Sequence, residues 1–271
     1  GMQCYHFIFM ARQWASDKLY LSDKLSALAV RAQLLSTPLA LMIFPEGTLV
    51  SKDTRPISKK FAEKTGVADM EHMLLPRSTG LFYCLRSLSP QTPNLNLLDA
   101  TIAYEGIPRG GYGQSYYTLR SIYLNGIPPP RIHVHLRMYN VQRDVPLGDL
   151  TETASGADAK KQLSRSQRAK DMDASPAETT IFDKWLRSRW REKDALLERF
   201  LNTETFEKHD GKAVTVADTS AGKEEIYLAG STSRTYELPL NLQSKLDIFD
   251  AFSYFVAIIV PTAIWMLWKR L

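Results

Sequence analysis

The chain has 271 residues with 44% hydrophobic and 23% charged residues, and only 14 glycines and 14 prolines. That composition excludes a collagenous or wholly disordered chain and leaves room for one α/β domain with extensions. The net charge of +5 is spread along the chain rather than set among aromatics; this argues against a nucleic-acid partner and suits an anionic one, such as phospholipid headgroups or coenzyme A phosphates.

Two cysteines, Cys4 and Cys84, form no CxxC pair, so neither a disulfide framework nor a zinc site is expected and a reducing compartment fits. Gly1 precedes Met2, as in a piece of a longer chain or one with an added residue. No charged stretch followed by a signal-like apolar run opens the sequence, so no secretory signal is expected.

Residues 22 to 35 read as a helix, with Leu21, Leu25, Leu28, Ala32 and Leu35 on one face, Ser22 as N-cap and Pro38 beyond the end. Leu39 to Phe44 is a short apolar run bounded by prolines, which predicts a strand buried on both faces of a mixed sheet. It runs into Pro45-Glu46-Gly47-Thr48, and α/β folds place ligands at such strand ends. A basic stretch with Lys52, Arg55, Lys59, Lys60 and Lys64 follows; it fits either a path for phosphates or a solvated face.

Residues 72 to 76 (HMLLP) predict another short buried strand, and Leu81 to Leu88 a helix. Leu97 to Tyr104 predicts a strand, and residues 106 to 130 a loop rich in glycine, proline and tyrosine. From Arg131 to Asn140 the residues alternate. Ile132, Val134, Leu136 and Met138 are expected on the core, with Arg131, His133, His135 and Arg137 toward solvent. The two histidines share a face, but no Asp or Cys partner lies nearby, so no metal is expected. Cys84 sits in an apolar stretch without an evident histidine base and is not read as a nucleophile.

Residues 149 to 179 lack apolar anchors and predict a disordered linker. Residues 180 to 202 predict an amphipathic helix with Phe182, Trp185, Leu186, Trp190, Leu197 and Phe200 among its apolar positions. Residues 203 to 240 carry little signal. Residues 251 to 268 are uncharged, extended upstream by Ile248 and Phe249 with Asp250 interrupting, and Trp265, Trp268, Lys269 and Arg270 cluster at the far end. A run near the ~20 residues that cross a bilayer predicts a transmembrane helix over 246–271; the alternative is a buried helix or hairpin.

The residues that point to chemistry are Phe44-Pro45-Glu46-Gly47-Thr48. Proline ends the strand, glycine lets the backbone turn closely against a ligand, and Glu46 can accept hydrogen bonds from ligand hydroxyls. The same five residues also fit an ordinary strand-to-helix turn with Glu46 and Thr48 as caps. The block resembles the third motif of the glycerolipid acyltransferase family, which includes lysophosphatidic acid and lysocardiolipin acyltransferases. Phe7 to Arg12 (FIFMAR) resembles that family's second motif, whose arginine binds the substrate phosphate. Leu74-Leu75-Pro76-Arg77-Ser78-Thr79-Gly80 resembles its fourth motif in the eukaryotic form, and WLRSRWREKDALLERF resembles the C-terminal extension of that branch. Order and spacing fit, and the resemblance covers about residues 1 to 202.

The resemblance implies an α/β fold with a mixed sheet flanked by helices. It implies an acyltransferase domain over 1–148 lacking its N-terminal portion, a linker over 149–179, an extension over 180–245 and the transmembrane segment. It also implies transfer of an acyl group from acyl-CoA to a lysophospholipid hydroxyl, with no tightly bound cofactor and no metal. Arg12 would hold the lipid phosphate, Glu46 and Gly47 the glycerol backbone, with Phe44, Pro45 and Thr48 in the same loop. Pro76 and Arg77 would border the acyl-CoA or acceptor pocket. The expected address is a membrane, that of the endoplasmic reticulum or, alternatively, of mitochondria.

One departure stands out. The family's first motif, His-x-x-x-x-Asp, supplies a general base and the aspartate that orients it. None of the five histidines, His6, His72, His133, His135 and His209, has Asp five positions on. The chain as it stands is therefore expected to begin after that motif and to be inactive. The competing reading is a non-catalytic, membrane-tethered lipid-binding or scaffold protein. A soluble α/β hydrolase is not supported, since no Gly-x-Ser-x-Gly elbow occurs.

Overall fold

The computed structural model describes residues 7, 8, 14–150 and 174–206, and the backbone of three short strands further on. The chain divides into two compact units, Gly1–Glu207 and Lys208–Leu271. In the second, β3 (Ala213–Val216), β4 (Glu224–Leu228) and β5 (Arg234–Glu237) form an antiparallel meander in the order β3-β4-β5. Most of the expected linker and the expected transmembrane segment lie outside the described residues. Among the described residues, no helix is long and apolar enough to cross a membrane.

The first unit is built from α1 (Trp14–Leu35), α2 (Arg55–Thr65), α3 (Ser78–Leu88), β1 (Asn96–Tyr104), β2 (Ile132–Asn140) and α6 (Pro176–Thr203). Two single-turn helices complete it: α4 (Gly113–Tyr116) and α5 (Val141–Asp144). Helix α3 is central, with every residue from Leu81 to Leu88 buried. One side of it, Tyr83, Cys84 and Leu88, packs on Leu21, Leu25 and Ala29 of α1. The other, Leu81, Phe82 and Leu85, meets Phe182, Leu186 and Trp190 of α6. These α6 residues recur at four-residue steps, one stripe of a helix. Burial pushes the Cys84 thiol up to about 12, so it stays protonated and unreactive.

Helix α6 begins four residues before its predicted start. Ser175 Oγ accepts from Glu178 N–H, Glu178 Oε2 accepts from Ser175 N–H, and Pro176 follows the cap. This reciprocal pair satisfies two donors that the first helical turn leaves open.

The strands expected at 39–44 and 72–76 do not form, and both described sheets are purely antiparallel. Segment 72–76 is extended and largely buried, but it lies beside helices, which have no ladder edge to offer. Side chains take the place of a partner strand. Asp194 of α6 accepts from the backbone N–H groups of Glu71 (3.1 Å), His72 (2.7 Å) and Met73 (3.1 Å). Ser58 Oγ accepts from Leu75 N–H. Arg55 donates to the carbonyls of Met70, Glu71 and Met73. Buried backbone groups must be paired, and here two helices do the pairing. Asp194→Ala is expected to destabilise the unit by about 2–3 kcal/mol in urea unfolding, because only the more exposed of the three donors can turn to water. Segment 39–44 carries no ladder either; Leu39 and Ile43 touch the core while Met42 and Phe44 are exposed.

Strands β1 and β2 pair antiparallel, Leu98 opposite Met138, Ile102 opposite Val134 and Tyr104 opposite Ile132. The orientation expected for β2 is reversed. Its polar face lies on α6: His133 is 4.9 Å from Phe200, Tyr139 is 5.7 Å from Trp185, and Arg137 pairs with Glu192. The apolar face is exposed, with Met138 at 70%. Alternation with period two says that the faces differ; it does not say which one meets the next layer.

Candidate functional site

Residues 44–48 form a tight turn in which Gly47 N–H donates to Phe44 O at 3.0 Å. Pro45 takes the second position of the turn, where its fixed φ fits, and Gly47 the fourth. Gly47 has φ 74°, and an added Cβ would meet nothing within 4 Å. Glycine is thus required by the backbone conformation and not by crowding.

The turn is fixed to the two other blocks singled out in the sequence. Arg77 N–H donates to Pro45 O at 2.8 Å. Leu74 N–H donates to Glu46 Oε2 at 3.1 Å, and the indole N–H of Trp190 donates to Glu46 Oε1 at 3.2 Å. Blocks 44–48 and 74–80, joined by pairs 28 and 32 positions apart in sequence, meet side by side, and α6 holds the glutamate from behind.

Partial burial raises the affinity of Glu46 for its proton, outweighing the Leu74 N–H, the Trp190 N–H and the charges of Lys193 and Arg55, which all favour the carboxylate. Each carboxylate oxygen keeps acceptor capacity beyond its one protein donor. Phe44, at 74% exposure, Gly47, Thr48 and Arg77 lie open around it, whereas Pro76 is fully buried and supports the segment from within. The result is a held carboxyl group with an exposed turn and an exposed guanidinium-bearing residue beside it, suited to binding a hydroxylated, anionic ligand. Arg12 lies outside the described residues.

Behind Glu46, α6 carries a polar residue on its buried stripe. Lys193 Nζ donates to Asp99 Oδ1 at 2.5 Å and to Ala100 O at 2.9 Å, and sits 4.4 Å from the centre of the Trp190 ring. Asp99 also faces Arg137 at 3.7 Å. A chain of contacts therefore runs from the sheet through Lys193 and Trp190 to Glu46. Sequence reasoning placed Trp190 on an apolar face and gave Lys193 no role; the signal was the i, i+3 spacing that puts a lysine on a core stripe.

The basic stretch divides. Arg55 is committed to three backbone carbonyls, while Lys52, Lys59, Lys60 and Lys64 are exposed. The two β2 histidines have separate surroundings: His133 Nε2 lies 2.8 Å from Glu105 Oε1, and the His135 ring is 5.9 Å from Phe206. A further group, Glu71, His72 and Glu198, presents polar atoms within 4.8 Å of one another. Both Glu198 oxygens are already engaged, one by Arg109 at 2.5 Å and one by His72 at 2.7 Å. The Arg109, Asn202 and His72 contacts bring Glu198 down to about 2.

Comparison with known proteins bears on these features. Residues 167–222 match the family model described as "Acyltransferase C-terminus", a span that includes all of α6 from Pro176 to Thr203. The chain is 34% identical over 235 residues to a 2-acyl-1-lysophosphatidylinositol acyltransferase of Saccharomyces cerevisiae, covering 76% of this chain and 51% of that protein. It is 32% identical to lysocardiolipin acyltransferase 1 of Danio rerio, over 75% of this chain and 41% of that protein. It is 27% identical to lysophosphatidylinositol acyltransferase 10 of Caenorhabditis elegans, over 75% and 41%. The chain thus spans about half the length of the curated relatives it matches. No solved structure matches it. The helix that secures Glu46 is the segment matched by the family model, and the relatives carry one type of activity in their names: the chain belongs to the lysophospholipid acyltransferase family.

Proposed function

We propose that the chain forms the acceptor-binding part of an acyl-CoA-dependent O-acyltransferase whose acceptor is an anionic lysophospholipid. The observation that carries this reading is the junction at Glu46. The turn bearing it is bonded to the Arg77 block, and α6 secures its carboxylate. The names of the relatives add lysophosphatidylinositol and lysocardiolipin acceptors, both anionic, and lysophosphatidic acid shares that chemistry.

In the proposed reaction the acceptor hydroxyl loses its proton to a histidine base and attacks the thioester carbonyl. The tetrahedral intermediate collapses, the C–S bond breaks, and the departing thiolate takes the proton back from the histidinium, so that coenzyme A leaves as its thiol. Glu46 accepts hydrogen bonds from the glycerol backbone, Gly47 keeps the turn close to it, and Arg12 and Arg77 face the phosphates. None of the five histidines here forms the His-x-x-x-x-Asp pair, so the base is assigned to sequence beyond these 271 residues. No tightly bound cofactor is needed. The apolar segment at 251–268 is the proposed anchor that keeps the site at a membrane of the endoplasmic reticulum or, alternatively, of mitochondria.

The test is acyl transfer from labelled acyl-CoA to a panel of lysophosphatidylinositol, lysocardiolipin, lysophosphatidic acid and lysophosphatidylcholine, using this chain extended upstream in its own reading frame. Transfer to anionic acceptors is expected, falling about a hundredfold in Glu46→Ala through loss of acceptor positioning. Equal transfer by Glu46→Ala removes the assigned role of the turn. No transfer to any acceptor favours the non-catalytic, lipid-binding alternative.

A further inference from the structure

Between β1 and β2 the chain does not take a short hairpin turn. It makes a long excursion over residues 105–131, and residues 106–131 hold Arg109, Arg120 and Arg131, four tyrosines and no Asp or Glu. Its outer part presents Leu119 (77% exposed), Tyr123, Leu124 (79% exposed) and Ile127 to solvent. Four large apolar side chains within nine positions are unusual on a water-facing loop.

The excursion is nevertheless ordered. Ile122 N–H donates to Thr118 O, Asn125 N–H to Arg120 O and Ile127 N–H to Ser121 O, closing a π-helical turn over Arg120–Leu124. Ser121 Oγ donates to the carbonyl of Tyr116 or Thr118. At the base, Tyr117 Oη donates to Glu105 O at 2.5 Å, and Arg109 is tied to Glu198 of α6. Part of the backbone of the tip is thus paired internally, which lowers the cost of entering a lipid interface. Exposed apolar side chains, neighbouring tyrosines and Arg120, with Arg109 and Arg131 already paired to Glu198 and Glu105, form the composition of a lipid-interface element.

We propose that residues 116–127 dock on the surface of an anionic lipid bilayer, with Leu119, Tyr123, Leu124 and Ile127 entering the interface and Arg120 facing the headgroups. The inference deepens the lysophospholipid reading: the element would hold the domain at the membrane from which the acceptor comes.

The test uses the full chain with Cys4→Ser and Leu124→Cys, labelled with an environment-sensitive fluorophore; Cys84 is buried and stays unlabelled. A second protein carries the label at Lys60→Cys, on exposed α2. Each is added to phosphatidylcholine–phosphatidylserine vesicles and to phosphatidylcholine vesicles. The expected result is a blue shift and several-fold brighter emission at position 124, quenched by nitroxide lipid, with no change at position 60. Arg120→Gln should weaken the response to anionic vesicles about fivefold.

Unchanged emission at 124 on vesicle-bound chain, no vesicle binding at all, or a response only when another protein is added would overturn the proposal. The comparison of two positions on one bound chain separates docking by this element from attachment elsewhere. A silent label in a protein that transfers acyl groups overturns only this inference. Insertion at position 124, together with no transfer to any acceptor by the upstream-extended chain, leaves this inference standing and overturns the acyltransferase reading.

Discussion

Lys193→Met is expected to lower the stability of the first unit by about 3–5 kcal/mol, the usual cost of leaving one partner of a buried ion pair behind. Lys193 is buried on the core stripe of α6, and its Nζ serves both Asp99 and the carbonyl of Ala100. Methionine fills the same volume, so packing changes little and the loss isolates the charge. Asp99 would keep only Arg137, 3.7 Å away and also engaged with Glu192. The companion variant Lys193→Met with Asp99→Leu removes both charges and is expected to recover most of the loss. Urea unfolding followed by circular dichroism measures both. Equal instability of the single and double variants would mean that the lysine stem, and not the ion pair, carries the effect.

Phe182→Ala is expected to cost about 3–5 kcal/mol in the same measurement. The ring is wholly buried, 4.6 Å from the Phe82 ring of α3 and 5.6 Å from that of Trp185. Its removal opens a cavity where α3 and α6 meet, and neither helix can close in without disturbing the Trp190 and Asp194 contacts. Met138→Ala on the exposed face of β2 provides the contrast, with an expected change within about 0.5 kcal/mol. A loss at Met138 as large as that at Phe182 would mean that the sheet face is covered in solution.

The helices expected at 22–35, 81–88 and 180–202 were legible in the sequence because their signals are local, whereas α2 (Arg55–Thr65) was read only as a basic stretch and α1 begins eight residues before its predicted start. The apolar stripe of α6 and the run from Leu81 to Leu88 both specified buried helices, and the capping Ser175-Pro176-Ala177-Glu178 was readable but lay in a segment poor in apolar residues. The motif blocks at 44–48 and 74–80 were recognisable, but the bonds that join them depend on partners far away in the chain. Nothing near Leu74 announces that its N–H ends on Glu46, or that Asp194 closes three more donors in the same segment. Segments 39–44 and 72–76 have the composition of buried strands, but only 72–76 is largely buried; Leu41, Met42 and Phe44 are exposed, and the ladder needs a neighbouring edge that the helices around 72–76 do not supply. For β2 the polar face was assigned to solvent because Arg and His usually seek it. Here Glu192, Phe200 and Phe206 supply an ion pair and aromatic contacts for that face.

The account turns on α6 holding Glu46 through the indole of Trp190, and the titration of the Glu46 side-chain carboxyl, followed by carbon NMR, reads that contact most directly. In the parent chain its pKa lies above the ordinary glutamate value, so the stability it contributes is present at low pH and lost as pH rises through that raised value. Trp190→Phe keeps the bulk that buries Glu46 and deletes the indole N–H, one of the two N–H groups that favour its charge, leaving that of Leu74. The predicted result is a carboxyl that titrates at still higher pH; an unchanged or lower titration point would contradict the contact and, with it, the site built on it.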